Sequence, residues 1–432
     1  MDGRKLLILV FAGVFLLKTT LLVSGSTVPP GWVDTSYHVS TSRDIAEGDL
    51  DSLVHPWWHI DGNSQEVDGV SVIDRNSETF FYPPFLHVFT ALFMLFLPAG
   101  LATISSVSLL YSLSVLATYL LSRSYRIKGK ASLIGSTFAG ASPLLVASQV
   151  RGFWSFAVAF NFLIISYACF RFYSTENNNR YALGYIASGL LAILTHWTFG
   201  LPVVALPSIH LLISRNWRSL MEWNWEYLPV IGVLGASAPF YLMFLLTSSL
   251  SSYIGTSFSE LIYGPALVVF VVGILWTERK KSTVTILSAI ITVTMAAFYL
   301  FQVEILFADM LQFATPVIAG FYLAEFVEDN LEPEPDNLQL LACLGLILLS
   351  AGGSVQALDD STRAVSDEEF QALVDARDRD FNNTILYNQD IGTWITLGSK
   401  DSRIVNPYIE YNSSRLDNNP EFRELQLTGA SP

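Results

Sequence analysis

Apolar residues fall in long blocks along this chain, separated by short polar turns. A bilayer core needs roughly 20 apolar residues per helix. Blocks of that kind occur near 5–23, 102–122, 131–150, 152–173, 182–198, 199–214, 227–247, 261–277, 283–302, 309–327 and 338–353. The length rule therefore predicts about eleven spans. A further apolar stretch, Tyr82 to Gly100 (YPPFLHVFTALFMLFLPAG), opens on Pro-Pro and closes on Pro-Ala-Gly. It reads as either a span or a re-entrant helix. The basic residues choose between the two, because short cytoplasmic loops collect Lys and Arg. With 82–100 re-entrant, Arg4/Lys5, Arg123/Arg126/Lys128/Lys130, Arg171/Arg180, Arg215/Arg218 and Arg279/Lys280/Lys281 all fall on the cytoplasmic side. A full span would move the SRSYRIKGK cluster outside, so the re-entrant arrangement is preferred.

This topology makes the N-terminus cytoplasmic and puts the loop 24–81 outside, with ten acids against two bases, Arg43 and Arg75. The polar tail from about Val355 to Pro432 is also outside, where sequons at Asn382 and Asn412 are open to glycosylation. The acidic stretch VEDNLEPEPDN is then cytoplasmic, a weak objection because acids contribute little to orientation. The expected fold is mainly α: a polytopic transmembrane helical bundle, residues 1–354, in the plasma membrane. A small α/β extracytoplasmic accessory domain, residues 355–432, follows it. In that tail Phe370, Leu373, Val374 and Ala376 mark an amphipathic helix, and NTILYNQDIGTWITLGSKDSRIVNPY alternates well enough for two or three strands. Arg4-Lys5, the apolar run and Ser24-Gly25-Ser26 also allow a signal peptide, whose loss would leave the later topology unaltered.

Composition sharpens the class. The chain has 432 residues, 51% hydrophobic and only 14% charged, with mean hydropathy +0.43, too apolar for a soluble two-domain protein. A net charge of -14 argues against a nucleic-acid partner, since phosphate binding needs a basic face. Cys169 and Cys343 lie within apolar runs and indicate neither a disulfide framework nor a metal site. No P-loop, Rossmann glycine pattern, zinc signature or internal repeat stands out.

Candidate chemistry begins in the first external loop. From Asp34 to Gly48 the sequence reads as a short helix, with Asp34 as N-cap or first-turn acid and Gly48 as its stop. Asp34 and His38 are then i and i+4 on one face. A carboxylate beside an imidazole suits a general base or a divalent cation site; an acid cap beside a surface histidine is the plainer alternative. Lys18, near the outer end of the first helix, is expected to snorkel to the interface.

Asp34-x-x-Tyr37-His38 after a first transmembrane helix, then Ile45-Ala46-Glu47-Gly48, then Tyr82-Pro83-Pro84-Phe85-Leu86-His87 opening an apolar helix, resembles the glycosyltransferases of the C fold. These polytopic enzymes include oligosaccharyltransferase catalytic subunits, protein mannosyltransferases and the aminoarabinose transferase. The resemblance covers most of the chain in layout and short patches in motif. It implies transfer of a sugar from a polyprenyl-phosphate-linked donor to a glycan, lipid or protein acceptor on the extracytoplasmic face, with inversion. Asp34 matches the catalytic aspartate and His38 the histidine that often follows it. Arg151, at the outer end of a span in ASPLLVASQVRG, matches an arginine near a phosphate, and His196 in LTHWTFGL lies near the same surface. Positive charge for the leaving phosphate would come from Arg151, His196, Arg43 or a Mg or Mn ion held by Asp34 and His38.

Two departures qualify the match. Asp309, in ADMLQFATPVIAG, stands where relatives tend to have a basic residue, and the paired acids expected in the second external loop are absent. For an oligosaccharyltransferase in particular, TSFSE (Thr256 to Glu260) faintly resembles the motif that supports the acceptor, but the Trp-Trp-Asp-Tyr-Gly motif is missing. The rival readings are an inactive C-fold scaffold or binding protein and a lipid-linked-sugar transporter. A transporter predicts charges deep within several spans, of which this chain offers few.

Overall fold

The computed structural model describes residues 3–24, 26–31, 33–53, 64–67, 70–73, 83–150, 152, 154–196, 199–214, 227–247, 305–330, 342–349, 351, 365–376, 385–387, 395–398, 403–405 and 422–424. The first apolar block forms α1 (Gly3–Val23). The acidic loop then folds α2 (Val33–Ala46) and a hairpin of β1 (Ser64–Val67) and β2 (Val70–Ile73). Next come α3 (Phe85–Met94), α4 (Ala99–Ser124), α5 (Gly129–Ala141), α6 (Pro143–Val150), α7 (Trp154–Glu176), α8 (Asn179–Thr195), α9 (Gly200–Ser214) and α10 (Leu228–Thr247). α11 (Ile305–Asn330) and α12 (342–349) complete the apolar helices among the described residues. The expected spans at 261–277 and 283–302 lie outside the described residues.

Four helices are long and apolar enough to cross a membrane: α1, α4, α7 and the pair α5–α6 taken as Gly129–Val150. The chain is an integral membrane protein. The α5–α6 block was expected as one span, but the chain turns extended at Ser142 (ψ 131°). Pro143 explains the break, since it lacks an N–H and disfavours helix in the residue before it. α3 has ten residues, about 15 Å of helix, half of a roughly 30 Å hydrocarbon core.

α4 sits centrally, against α1, α3, α5, α7 and α11. It is rich in buried hydroxyls, and Ser106, Ser112, Ser114 and Ser124 return their protons to carbonyls three or four residues earlier. The small side chains let neighbouring backbones approach while no hydroxyl of these four is stranded. α5 and α11 meet on the same principle, for a Cβ on Gly135 would overlap the Gly320 carbonyl.

The tail does not stand apart from the first loop. α13 (Asp367–Ala376) begins in a capping box: Ser366 N–H donates to Glu369 Oε2 (2.7 Å) and Glu369 N–H to Ser366 Oγ (3.2 Å). Its Phe370, Leu373 and Ala376 are buried with Val28, Tyr37 and Val39 from the loop, and with Leu397 of α14 (Ile395–Gly398). Asp367 Oδ1 accepts from Ser26 Oγ (2.8 Å) and Thr27 N–H (3.0 Å). The tail strands β3 (Ile385–Tyr387), β4 (Arg403–Val405) and β5 (Phe422–Glu424) join the loop hairpin in one sheet of order β1-β2-β4-β3-β5. β2 and β4 run antiparallel with Ile73 opposite Ile404, whereas β3 is parallel to both β4 and β5. One layer outside the bundle is thus built from two segments about three hundred residues apart in sequence.

Candidate active site

α2 is polar in sequence yet almost wholly buried: Thr35, Ser36, His38, Ser40, Thr41, Ser42 and Asp44 are each at most 3% exposed. It is enclosed because it lies between the bundle and the sheet layer. Tyr37 and Val39 face the layer's core, and Ser40 Oγ donates to the Thr396 carbonyl (3.0 Å). The helix ends where expected, with Gly48 at φ +91°, a left-handed conformation that favours glycine.

His38 points into the bundle. Its Nδ1 lies 2.8 Å from Nε2 of His87 in the first turns of α3. Its ring stacks on Trp154, at the start of α7, with centroids 5.5 Å apart and planes at 24°. His196, which caps α8, packs its ring 3.8 Å from that of Phe156 and is close enough for its charge to act on His38. Three buried imidazoles and two aromatic rings, from α2, α3, α7 and α8, therefore converge at one end of the bundle.

Burial, and then the repulsion that a proton on His38 would meet from His87 and His196 when these are protonated, hold the His38 imidazole well below its usual range. A base with a lowered folded-state pKa binds fewer protons when folded. Its stability contribution is complete above its unfolded value near 6.5 and is lost as pH falls below it. Stability is expected to decline by about 1.4 kcal/mol per pH unit for this one group below that value. Detergent melting midpoints between pH 7.5 and 5.5 should show the decline, and His38→Gln should flatten it.

A polar column continues beneath these rings. Trp154 Nε1–H donates to the Gln149 carbonyl (2.7 Å), Gln149 Nε2–H to Ser108 Oγ (2.9 Å), and Tyr111 OH lies 3.3 Å from Ser148 Oγ. Lys18 of α1 completes it. Rather than snorkelling, Lys18 is fully buried, with Nζ 5.5 Å from the Tyr111 ring centroid and no hydrogen-bond partner among the described residues. Its helix face turns toward α4, so the stem has no route to the interface. Because an ammonium without a hydrogen-bond acceptor is costly to bury, Lys18→Met is expected to raise stability by about 1–3 kcal/mol, read as a higher detergent melting midpoint.

The other candidates differ in placement. Asp34 lies in the first turn of α2, one turn before His38; its side chain is outside the described residues, as are that of Asp309 and the whole of Arg151, Thr256 to Glu260, Asn382 and Asn412. Arg43 donates from Nε to Glu47 (2.7 Å) and from a terminal nitrogen to the Val374 carbonyl (3.2 Å), which ties α2 to α13. Sequence reasoning did not single out His87, Trp154 or Phe156 as site residues. A histidine in the apolar run after Pro83-Pro84 was the available signal, since such a residue seeks a partner.

Mg and Mn prefer oxygen ligands. Among the described residues no three of His, Cys, Asp and Glu form a metal-binding group, and the side chain of Asp34, the oxygen ligand expected beside His38, lies outside them. No step is derived through a metal.

No family model matches the chain, and no curated protein matches it in sequence. In fold it is similar to the apo crystal structure of the Archaeoglobus fulgidus oligosaccharyltransferase, with a TM-score of 0.50 at 10% identity, over 94% of this chain and 65% of that one. The oligosaccharyltransferase AglB of the same organism, solved with an inhibitory peptide and a dolichol-phosphate, aligns with a TM-score of 0.48 at 11% identity, over 94% of this chain and 64% of that one. The chain thus spans just under two thirds of the length of these proteins.

Proposed function

We propose that this protein is a membrane glycosyltransferase that moves a sugar from a polyprenyl-phosphate-linked donor to an acceptor at the extracytoplasmic end of the bundle. The observation that carries the reading is the seating of α2: the helix that bears Asp34 is enclosed against α3 and α7, with His38 set among His87, Trp154 and His196. The C-fold resemblance of its motifs and the fold likeness to the archaeal enzyme support the same assignment. The N-terminus is cytoplasmic and the tail extracytoplasmic in this reading.

Asp34 takes the proton from the acceptor hydroxyl or amide as that atom bonds to the anomeric carbon. The bond from that carbon to the phosphate oxygen breaks, inverting the centre and releasing polyprenyl phosphate. Arg151 follows the last residue of α6 and precedes Trp154 by three positions. Its guanidinium meets the charge on the departing phosphate.

An inactive binding protein of the same fold is the second reading. Asp309, where relatives tend to have a basic residue, and a second external loop that lacks their paired acids favour it. Transfer of radiolabelled sugar from polyprenyl-phosphate donors in membranes separates the two. The enzyme reading expects transfer by the wild type that is lost in Asp34→Asn and weakened in Arg151→Ala at matched expression. Transfer that survives Asp34→Asn overturns the site, and no transfer from any donor favours the binding protein.

A further inference from the structure

The two imidazoles of the site read as a directed pair. His87 is hydrogen-bonded to the backbone of Pro83, four residues earlier. Proline has no N–H, so the bond is made to its carbonyl, which can only accept, and the His87 nitrogen facing it carries a proton. Nε2 is the nitrogen turned to His38, which leaves Nδ1, the one nearer the backbone, for Pro83. Both rings are only 2% exposed, and burial disfavours the doubly protonated, charged form. A neutral His87 protonated on Nδ1 has a bare Nε2. The 2.8 Å contact is then a hydrogen bond only if His38 donates it from Nδ1.

We propose that His87 is a positioning residue: by accepting from His38 Nδ1–H it holds His38 in the Nδ1–H tautomer, so that His38 Nε2 is an acceptor and not a donor. The assignment has a consequence for recognition, which rests on the glycosyl-transfer reading above. An unprotonated Nε2 can only accept, and it repels a phosphate oxygen. His38 therefore brings no positive charge to the departing phosphate, which is left to Arg151. The stacked face of Trp154 keeps the His38 ring in the plane that the bond to His87 requires.

The test is solid-state nitrogen-15 NMR of the full chain in lipid bilayers, labelled on histidine. With six histidines in the chain, the His38 resonances are identified by their loss in His38→Gln. The wild type is expected to show His38 as the Nδ1–H tautomer, the less common form of free imidazole. His87→Leu removes the acceptor and should shift His38 to the Nε2–H form. His87→Gln, whose side-chain carbonyl replaces the accepting nitrogen, should restore Nδ1–H. In the transfer assay His87→Leu is expected to lose about tenfold in rate, the worth of one hydrogen bond, and His87→Gln to recover most of it. A wild-type His38 in the Nε2–H or the charged form overturns the proposal, and so does a His38 signal unmoved by His87→Leu. If His87→Leu does not fold, the wild-type spectrum alone decides. Absence of sugar transfer by the wild type would remove the functional reading while the tautomer assignment still stood or fell by the spectrum.

Discussion

Asp34→Asn is expected to cut sugar transfer by about 10²- to 10⁴-fold, the usual contribution of a positioned general base. Asn keeps the size and shape of the side chain but cannot take up the acceptor's proton. It is as good as Asp at a helix start, so α2 should form in the variant and its melting midpoint should stay close to that of the wild type. Initial rates with a single polyprenyl-phosphate donor at saturating acceptor, alongside a thermal melt of the same preparation, separate loss of chemistry from loss of fold. A variant that transfers normally would overturn the assignment of Asp34 as the base.

Trp154→Ala is expected to lower stability by about 3–5 kcal/mol, the range for truncating a large buried aromatic residue. Trp154 is 2% exposed, supports the His38 ring, and satisfies the Gln149 carbonyl at the end of α6. Trp154→Phe keeps a ring face against His38 but loses the indole hydrogen bond, leaving that carbonyl with the Gly152 N–H (3.3 Å), and should cost about 0.5–1.5 kcal/mol. The order of detergent melting midpoints should therefore be wild type, Phe, Ala. The Ala variant should also broaden the His38 NMR signal as its ring loses the surface that orients it. Equal midpoints for all three would mean that the start of α7 does not pack on α2.

Much of the helical layout is legible before folding, for a clear reason. Lipid offers no hydrogen bonds to a backbone, so spanning segments must be helices and must be apolar along their length. α1, α4 and α7 follow the predicted blocks within a few residues. α2 was readable from Asp34 at its start and Gly48 at its stop, and α13 from Phe370, Leu373 and Ala376 on one face. The break at Pro143 is masked in the sequence because the apolar run continues through it. Helices as apolar on all sides as α7 carry no periodic signal of which face packs inward. The inward direction of Lys18 is not legible for that reason, and the pairing of Ile73 with Ile404 has no local signature at all.

Local sequence is enough to dictate continuous apolar blocks that require a membrane, and a short loop helix that places Asp34 and His38 one turn apart. Both follow from interactions between residues near one another along the chain. Burial of this polar helix, the meeting of its histidine with His87 and Trp154, and the single sheet shared by the first loop and the tail arise instead from packing between distant segments. Those contacts join residues separated by tens to hundreds of positions. They are selected by which surfaces can be removed from water and lipid together, a property of the assembled layers and not of any single segment.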